Sequence, residues 1–254
     1  MYFEFETLTG LSPFMLIFAV LAIGLAAIIR GFSGFGFSAL TVTSLSLILQ
    51  PAEVVPTAFL LEIAASIHML PLVWRQVDWK ILRWLVLGAV LGTPFGIAFL
   101  SEVPQGTMRL VVYGLVVTAS FLLWKDFRFK RSVGRSWTIG VGCFSGLVNG
   151  SAGIGGLPVV LFLLSTSSGA VLTRASLVAY LFFTDVYASI LSGSQDLISS
   201  SLLWRTGVFL IPLTIGIYIG HRRFVKTSPE SFRKFALSLQ IFLSLVGIVQ
   251  VFAV

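Results

Sequence analysis

Gly31-Phe32-Ser33-Gly34-Phe35-Gly36 and Gly150-Ser151-Ala152-Gly153-Ile154-Gly155-Gly156 are two glycine-rich knots set in apolar sequence, about half a chain apart. Adding 119 to 31, 34 and 36 gives 150, 153 and 155, so three glycines superimpose without a gap. The surroundings decide what such a pair means. Of the 254 residues 57% are hydrophobic and only 11% charged, against about 25% charged in a soluble domain. Apolar runs of roughly 17 to 25 residues reach across a bilayer, and no polar stretch is long enough to enclose a separate soluble core. Paired, glycine-interrupted apolar segments in two halves point to broken helices that meet near the bilayer midplane, the arrangement of a secondary transporter.

The apolar segments run over 11–30, 37–49, 54–74, 84–100 and 110–124, then 136–149, 157–166, 174–192, 206–221 and 235–254. Helix is the expected state of each, because isolated strands leave their backbone unsatisfied in lipid and the period-two pattern of a barrel is absent. The segments 37–49 and 157–166 are short for a span, so each is expected to form one arm of a broken or re-entrant hairpin. The fold class expected is an all-α polytopic membrane protein with two repeats of about five helical segments, 1–130 and 131–254.

Charge placement orients the segments. Arg75, Lys80 and Arg83 fall in 75–83; Lys125, Arg128, Lys130, Arg131 and Arg135 in 125–135; and Arg222, Arg223, Lys226, Arg233 and Lys234 in 222–234. These three stretches are expected on the cytoplasmic side. The N-terminus, where Glu4 and Glu6 are the only charges, and the cation-poor stretches 101–109 and 193–205 are expected outside, as are both termini. Five segments per half is an odd number, so the second repeat is expected to be inverted. The net charge of +7 is thereby assigned to topology rather than to a nucleic-acid-binding face. Cys143 is the only cysteine, which excludes an intrachain disulfide. No cofactor or metal is expected.

Further matches extend the repeat. Gly92-x-x-x-Gly96 matches Gly216-x-x-x-Gly220 at an offset of 124, and Arg109 then matches Arg233. Small residues four apart let helices approach closely. Glu62-Ile-Ala-Ala-Ser66 aligns with Asp185-Val-Tyr-Ala-Ser189 at an offset of 123, which puts one carboxylate in the middle of an apolar helix in each half.

These residue types suit a small anion. A helix that starts inside the membrane points unpaired N–H groups and its positive end into a cavity, and glycine lets a ligand approach those groups. The candidate binding set is Arg30, Gly31, Ser33, Gly34, Gly36, Asn149, Gly150, Ser151, Gly153, Gly155, Gly156 and Arg174. For the knot glycines the alternative is close helix packing. For Arg30 and Arg174 it is an interface anchor. Glu62 and Asp185 are candidates for proton coupling, since intramembrane carboxylates face protein or water and often carry protons; the alternative is a structural acid or an ion pair. His68 and His221 lie at predicted helix ends. Gly31-Phe32-Ser33-Gly34 has the Gly-x-Ser-Gly form of an intramembrane serine protease, yet a nucleophile needs a base in reach and Ala152 stands at the second copy of Ser33. A nucleotide-binding reading of the glycines lacks its strand–turn–helix unit.

The duplicated knot, with Leu157-Pro158 after its second copy, resembles the sulfite exporter TauE/SafE family, also called the toluene sulfonate uptake permeases. Val77-Asp78-Trp79 followed by Gly88 and Gly92, and Arg174-Ala175-Ser176 after the second knot, are similar to the same family. The resemblance covers essentially the whole chain. It implies a transporter of the prokaryotic inner membrane for sulfite, organosulfonates or related small organic anions. The first knot departs from the family pattern: Phe37 replaces the final glycine and no proline follows. The second knot is therefore expected to carry more of the substrate contact. A passive anion channel and a membrane scaffold without substrate are the competing readings; no ATPase motif is present to drive transport directly.

Overall fold

The computed structural model describes residues 9–125, 134–165, 170–224 and 229–253; Glu4, Glu6, Arg128, Lys130, Arg131 and Lys226 lie outside them. The described residues form ten α-helices and no strand. In chain order these are α1 (Pro13–Ser33), α2 (Phe37–Leu45), α3 (Pro51–Val73), α4 (Trp79–Glu102) and α5 (Gln105–Trp124), then α6 (Arg135–Ala152), α7 (Gly156–Ser165), α8 (Ala170–Ser194), α9 (Ser200–Phe224) and α10 (Pro229–Ala253). Seven of them (α1, α3, α4, α5, α8, α9 and α10) are long and apolar enough to cross a bilayer. Phe14, Leu21, Phe95, Ile211 and Phe252 stand exposed on their outer faces, a surface that only a lipid-like solvent accepts.

Local chemistry sets the helix limits. Ser12 caps α1 by accepting from the Met15 N–H, with Pro13 in the first turn, where a missing N–H costs nothing. The Asp78 carboxylate accepts from Lys80 and Ile81 and opens α4. Several helices outrun the apolar segments that announce them. α8 begins at Ala170, so Arg174 sits inside the helix rather than at its start. α5 takes in Arg109, and α9 takes in Arg205, so neither lies in a loop. In the other direction, α2 stops at Leu45.

Backbone contact along whole helices organises the bundle. α4 lies along α6: a Cβ at Gly88, Gly92 or Gly96 would overlap the backbone carbonyls of Ile139, Cys143 or Leu147. Gly142, Gly146 and Gly150 return the fit against Leu85, Ala89 and Thr93. α9 lies along α1 in the same manner, with Gly216 and Gly220 against Gly24 and Ile28, and Gly31 against Ile217. Such approach is the use of small residues in lipid, where dispersion and not water exclusion drives association. α3 and α8, the most buried of the seven long helices, pack on each other at the centre, and α5 packs on α10. The central pair carries Glu62 and Asp185.

Two sequence motifs meet across this frame. The Asp78 N–H donates to Ser176 Oγ at 2.9 Å, which joins Val77-Asp78-Trp79 to Arg174-Ala175-Ser176.

Candidate functional site

Both knots interrupt a helix at the same point. α1 ends at Ser33, and Gly34 caps it in the left-handed region with φ 80° and its N–H on Arg30 O at 2.8 Å. α6 ends at Ala152, and Gly153 caps it with φ 69° and its N–H on Asn149 O at 2.7 Å. Any residue with a Cβ is strained there. Helix resumes at Phe37 after the first break and at Gly156 after the second.

Arg30 and Asn149 thus occupy the same place, four residues before the left-handed glycine. Their numbers differ by 119, the offset of the knots. Each side chain reaches the carboxylate of its own half. Arg30 Nη2 lies 3.0 Å from Glu62 Oε2 and 3.2 Å from Ser66 Oγ, while Nη1 donates to Gly34 O. Ser38, in the first turn of α2, donates to Glu62 Oε1 at 2.7 Å. In the other half Asn149 Nδ2 donates to Asp185 Oδ1 at 2.7 Å, and Asn149 Oδ1 accepts the Gly155 N–H at 3.1 Å.

The two clusters differ in charge. Glu62 has a cation and a hydroxyl, whereas Asp185 has one neutral amide, and its Oδ2 is buried without a partner. Arg30 and Glu62 are 0% and 2% exposed in their side chains, and Asp185 is 1% exposed. Asp185 is within electrostatic reach of both Glu62 and Arg30. A buried ion pair of this kind is costly to desolvate and is lost badly if one partner goes.

Arg174 enters from α8 and donates through Nη2 to Gly31 O at 2.8 Å. Its stem lies against Gly34, where a Cβ would stand 2.5 Å from Arg174 Cγ. Arg174 is therefore half-buried and in contact with the first knot. A second cation joins Arg30, and it satisfies a carbonyl at the end of α1 where cations are favoured.

The remaining candidates divide by position. Gly31 and Gly150 face neighbouring helices and are taken up by packing. Ser33 Oγ lies 2.8 Å from Ile29 O and 2.7 Å from Phe35 O and accepts the Phe35 N–H at 3.3 Å; no histidine is among its partners. His68 is exposed and sits on Ala64 O. Ser151 is buried and directed at Val148 O. Gly36, with φ 88°, is held by Gln240 of α10, whose Nε2 donates to Gly36 O at 3.3 Å while its Oε1 accepts from Ser120 at 2.8 Å. Gly155 is held by a chain in which Tyr180 donates to Ser145 at 2.8 Å and Ser145 to Gly155 O at 2.6 Å. Ser38, Gln240, Ser145 and Tyr180 were not anticipated from sequence. Asn149, by contrast, belongs to the candidate set from sequence, and the knot offset maps it onto Arg30.

Where the breaks face each other there is a crevice lined by Phe35, Gly36, Ser38, Ala39, Glu62, Ile154, Gly156, Leu157 and Leu181. Its volume is about 10 Å³, the space of roughly one water. A larger cavity, about 420 Å³, lies elsewhere, between α5, α6 and α7, among Leu115, Trp137, Phe144, Val148, Ile154 and Leu161. It has no charged lining residue and suits an acyl chain rather than an anion. Among the described residues no cluster of His, Cys, Asp and Glu could hold a metal ion.

The model of the sulfite exporter TauE/SafE family matches residues 19–247. That span covers most of the chain, both breaks and both carboxylates, and the chain belongs to this family. No curated protein and no solved structure matches it. The family and the seven apolar helices together make it an integral membrane protein.

Proposed function

We propose that this member of the sulfite exporter TauE/SafE family is a secondary transporter that moves a sulfur oxyanion, sulfite or an organosulfonate, through the crevice between the two glycine breaks. The observation that carries the reading is Arg30: a fully buried guanidinium at the first break, paired with Glu62, which Ser38 in the first turn of α2 shares and which lines the crevice. A guanidinium fork matches the oxygens of a sulfonate or sulfite bidentately, and the α2 N–H groups add neutral donors.

Protons are the coupling ions in this reading. The centre holds two cations, Arg30 and Arg174, and two carboxylates, Glu62 and Asp185. With both carboxylates ionised the charges cancel and an incoming anion has no net attraction. One proton on the pair leaves a single positive charge, which one monoanion neutralises. Proton and anion then cross together.

The crevice is too small for substrate, so access requires the breaks to separate. The packing supports two inverted repeats, 1–130 and 131–254, that exchange support. α6 of the second half rides on α4 of the first, and α1 of the first rides on α9 of the second. Each break is thereby fixed to a long helix of the opposite half, and rocking these two pairs about the α3–α8 contact opens the crevice to one side and then the other. The charge distribution supports an inner-membrane orientation with both termini outside.

Binding is tested by heating the purified protein in detergent with sulfite, toluenesulfonate or chloride. Ligand at ten times its Kd stabilises the folded state by about 1.4 kcal/mol. The expected result is a rise in melting temperature with the sulfur oxyanions only. No rise with either of them overturns the proposal.

A further inference from the structure

Glu62 has the partners that a bound anion would have. Its carboxylate takes Arg30 Nη2 at 3.0 Å and the Ser38 hydroxyl at 2.7 Å, and Ser38 lies in the first turn of α2, where an anion is favoured. It also lines the crevice between the breaks, which has no room for a second anion. A substrate that binds Arg30 must therefore take the place that Glu62 holds.

We infer that Glu62 is a tethered anion that occupies the substrate position on Arg30, and that substrate binds by displacing it. This rests on the transporter reading above and assigns the two carboxylates different work. Glu62 is the competitor. Asp185 is its neighbour on the facing helix, held by Asn149 through one oxygen and with the other buried and unpartnered. Once off Arg30, the Glu62 carboxylate has lost its cation and still faces a like charge in a dry site. The two carboxylates sit on helices that pack on each other, and like charges left in a dry site without a cation favour a proton on one of them. The displaced group takes up that proton, no bond other than the O–H forming, and each anion bound draws in one proton. Competition thus supplies the coupling: without a proton Glu62 returns to Arg30 and expels the anion.

Among the described residues, the charged and polar groups around Glu62 come from four helices. Arg30 comes from α1, Ser38 from α2, Ser66 from α3 itself as an Arg30 partner, and Asp185 from α8, with Arg174, also from α8, bound to Gly31 O. The second half has no such competitor, since Asn149 carries no charge to be occupied.

The experiment is toluenesulfonate binding by titration calorimetry on the purified full chain, in buffers of differing ionisation enthalpy and over a range of pH; a sulfonate stays a monoanion throughout, so any proton taken up belongs to the protein. For the wild-type protein we expect uptake of one proton per toluenesulfonate and an affinity that weakens about tenfold per pH unit, the slope of a one-proton linkage. Glu62→Gln is expected to bind toluenesulfonate at least about tenfold more tightly, because Arg30 is no longer contested by a charged neighbour, and to take up no proton. Binding by the wild-type chain with neither proton uptake nor pH slope overturns the inference even if Glu62→Gln does not fold, and leaves the anion site standing. Equal affinity in Glu62→Gln and wild type overturns it as well. Absence of toluenesulfonate binding in both proteins, each eluting as a folded species, refutes instead the transporter reading on which it rests.

Discussion

Removing Arg30 separates what the guanidinium does for the fold from what it does for the substrate. In Arg30→Gln the Glu62 carboxylate, 2% exposed, keeps the Ser38 hydroxyl but loses the guanidinium paired with it. An uncompensated buried charge of this kind costs about 3–5 kcal/mol. At roughly 2–4 °C per kcal/mol for a chain of this size, the melting temperature should fall by on the order of 10 °C. Adding Glu62→Gln removes the second charge, and two buried groups without charge are close to neutral for stability. The double variant should therefore regain most of that loss. It should nevertheless fail to bind or move sulfite, because the fork that holds the anion is gone. Melting in detergent and sulfite binding are the two assays. A double variant that melts like wild type and transports like wild type would refute the placement of substrate on Arg30.

Other consequences follow from single contacts. Gly153→Ala places a Cβ at φ 69° and 3.2 Å from Val42 Cγ2, so we expect a loss of about 1–2 kcal/mol from the left-handed backbone alone and reduced flux in correctly inserted protein; normal flux removes the second break from the site. Asp185→Asn should leave sulfite exchange down its gradient and abolish accumulation driven by a pH gradient, and an unchanged accumulation ratio would take Asp185 out of the coupling. Gly92→Leu drives a side chain into the Cys143 carbonyl and should prevent recovery of folded protein. Gly140→Ala, where nothing stands within 4 Å of the new Cβ, should be neutral or stabilise by up to about 1 kcal/mol, and equal yields of the two would contradict the α4–α6 packing.

Much of this architecture is readable because lipid constrains it so strongly. Apolar length alone announces the helices, and Gly34 and Gly153 mark the breaks because a left-handed cap has few alternatives to glycine. The same glycines hide their own division of labour. Gly31 and Gly150 serve packing, but nothing in the sequence tells a glycine against a carbonyl of α9 or α4 from one beside a ligand; only the neighbouring helix does. Glu62 and Asp185 stand out because charge is rare at that depth, while their partners do not. Ser38 is one of many serines, and it becomes a ligand only when α2 folds back against α3. Gln240 acts from 204 residues away, and no local pattern announces a contact of that range. Arg174 was obscured differently: the sequence starts its helix too late, which makes a half-buried residue packed beside Gly34 look like one at a helix end. Arg205 shows the same effect, since the end of the stretch 193–205, expected as an outside connection, forms the first turns of α9, where Arg205 is buried against Glu53 at 2.5 Å.

The central claim is that the breaks carry a sulfur oxyanion together with a proton. Its most direct test is labelled sulfite flux into proteoliposomes of the purified chain, with and without an imposed pH gradient. The account predicts uptake that concentrates sulfite toward the alkaline side and settles at equilibrium when the gradient is collapsed. Sulfite flux that never exceeds equilibrium under a sustained gradient, or no flux of any sulfur oxyanion, would contradict it.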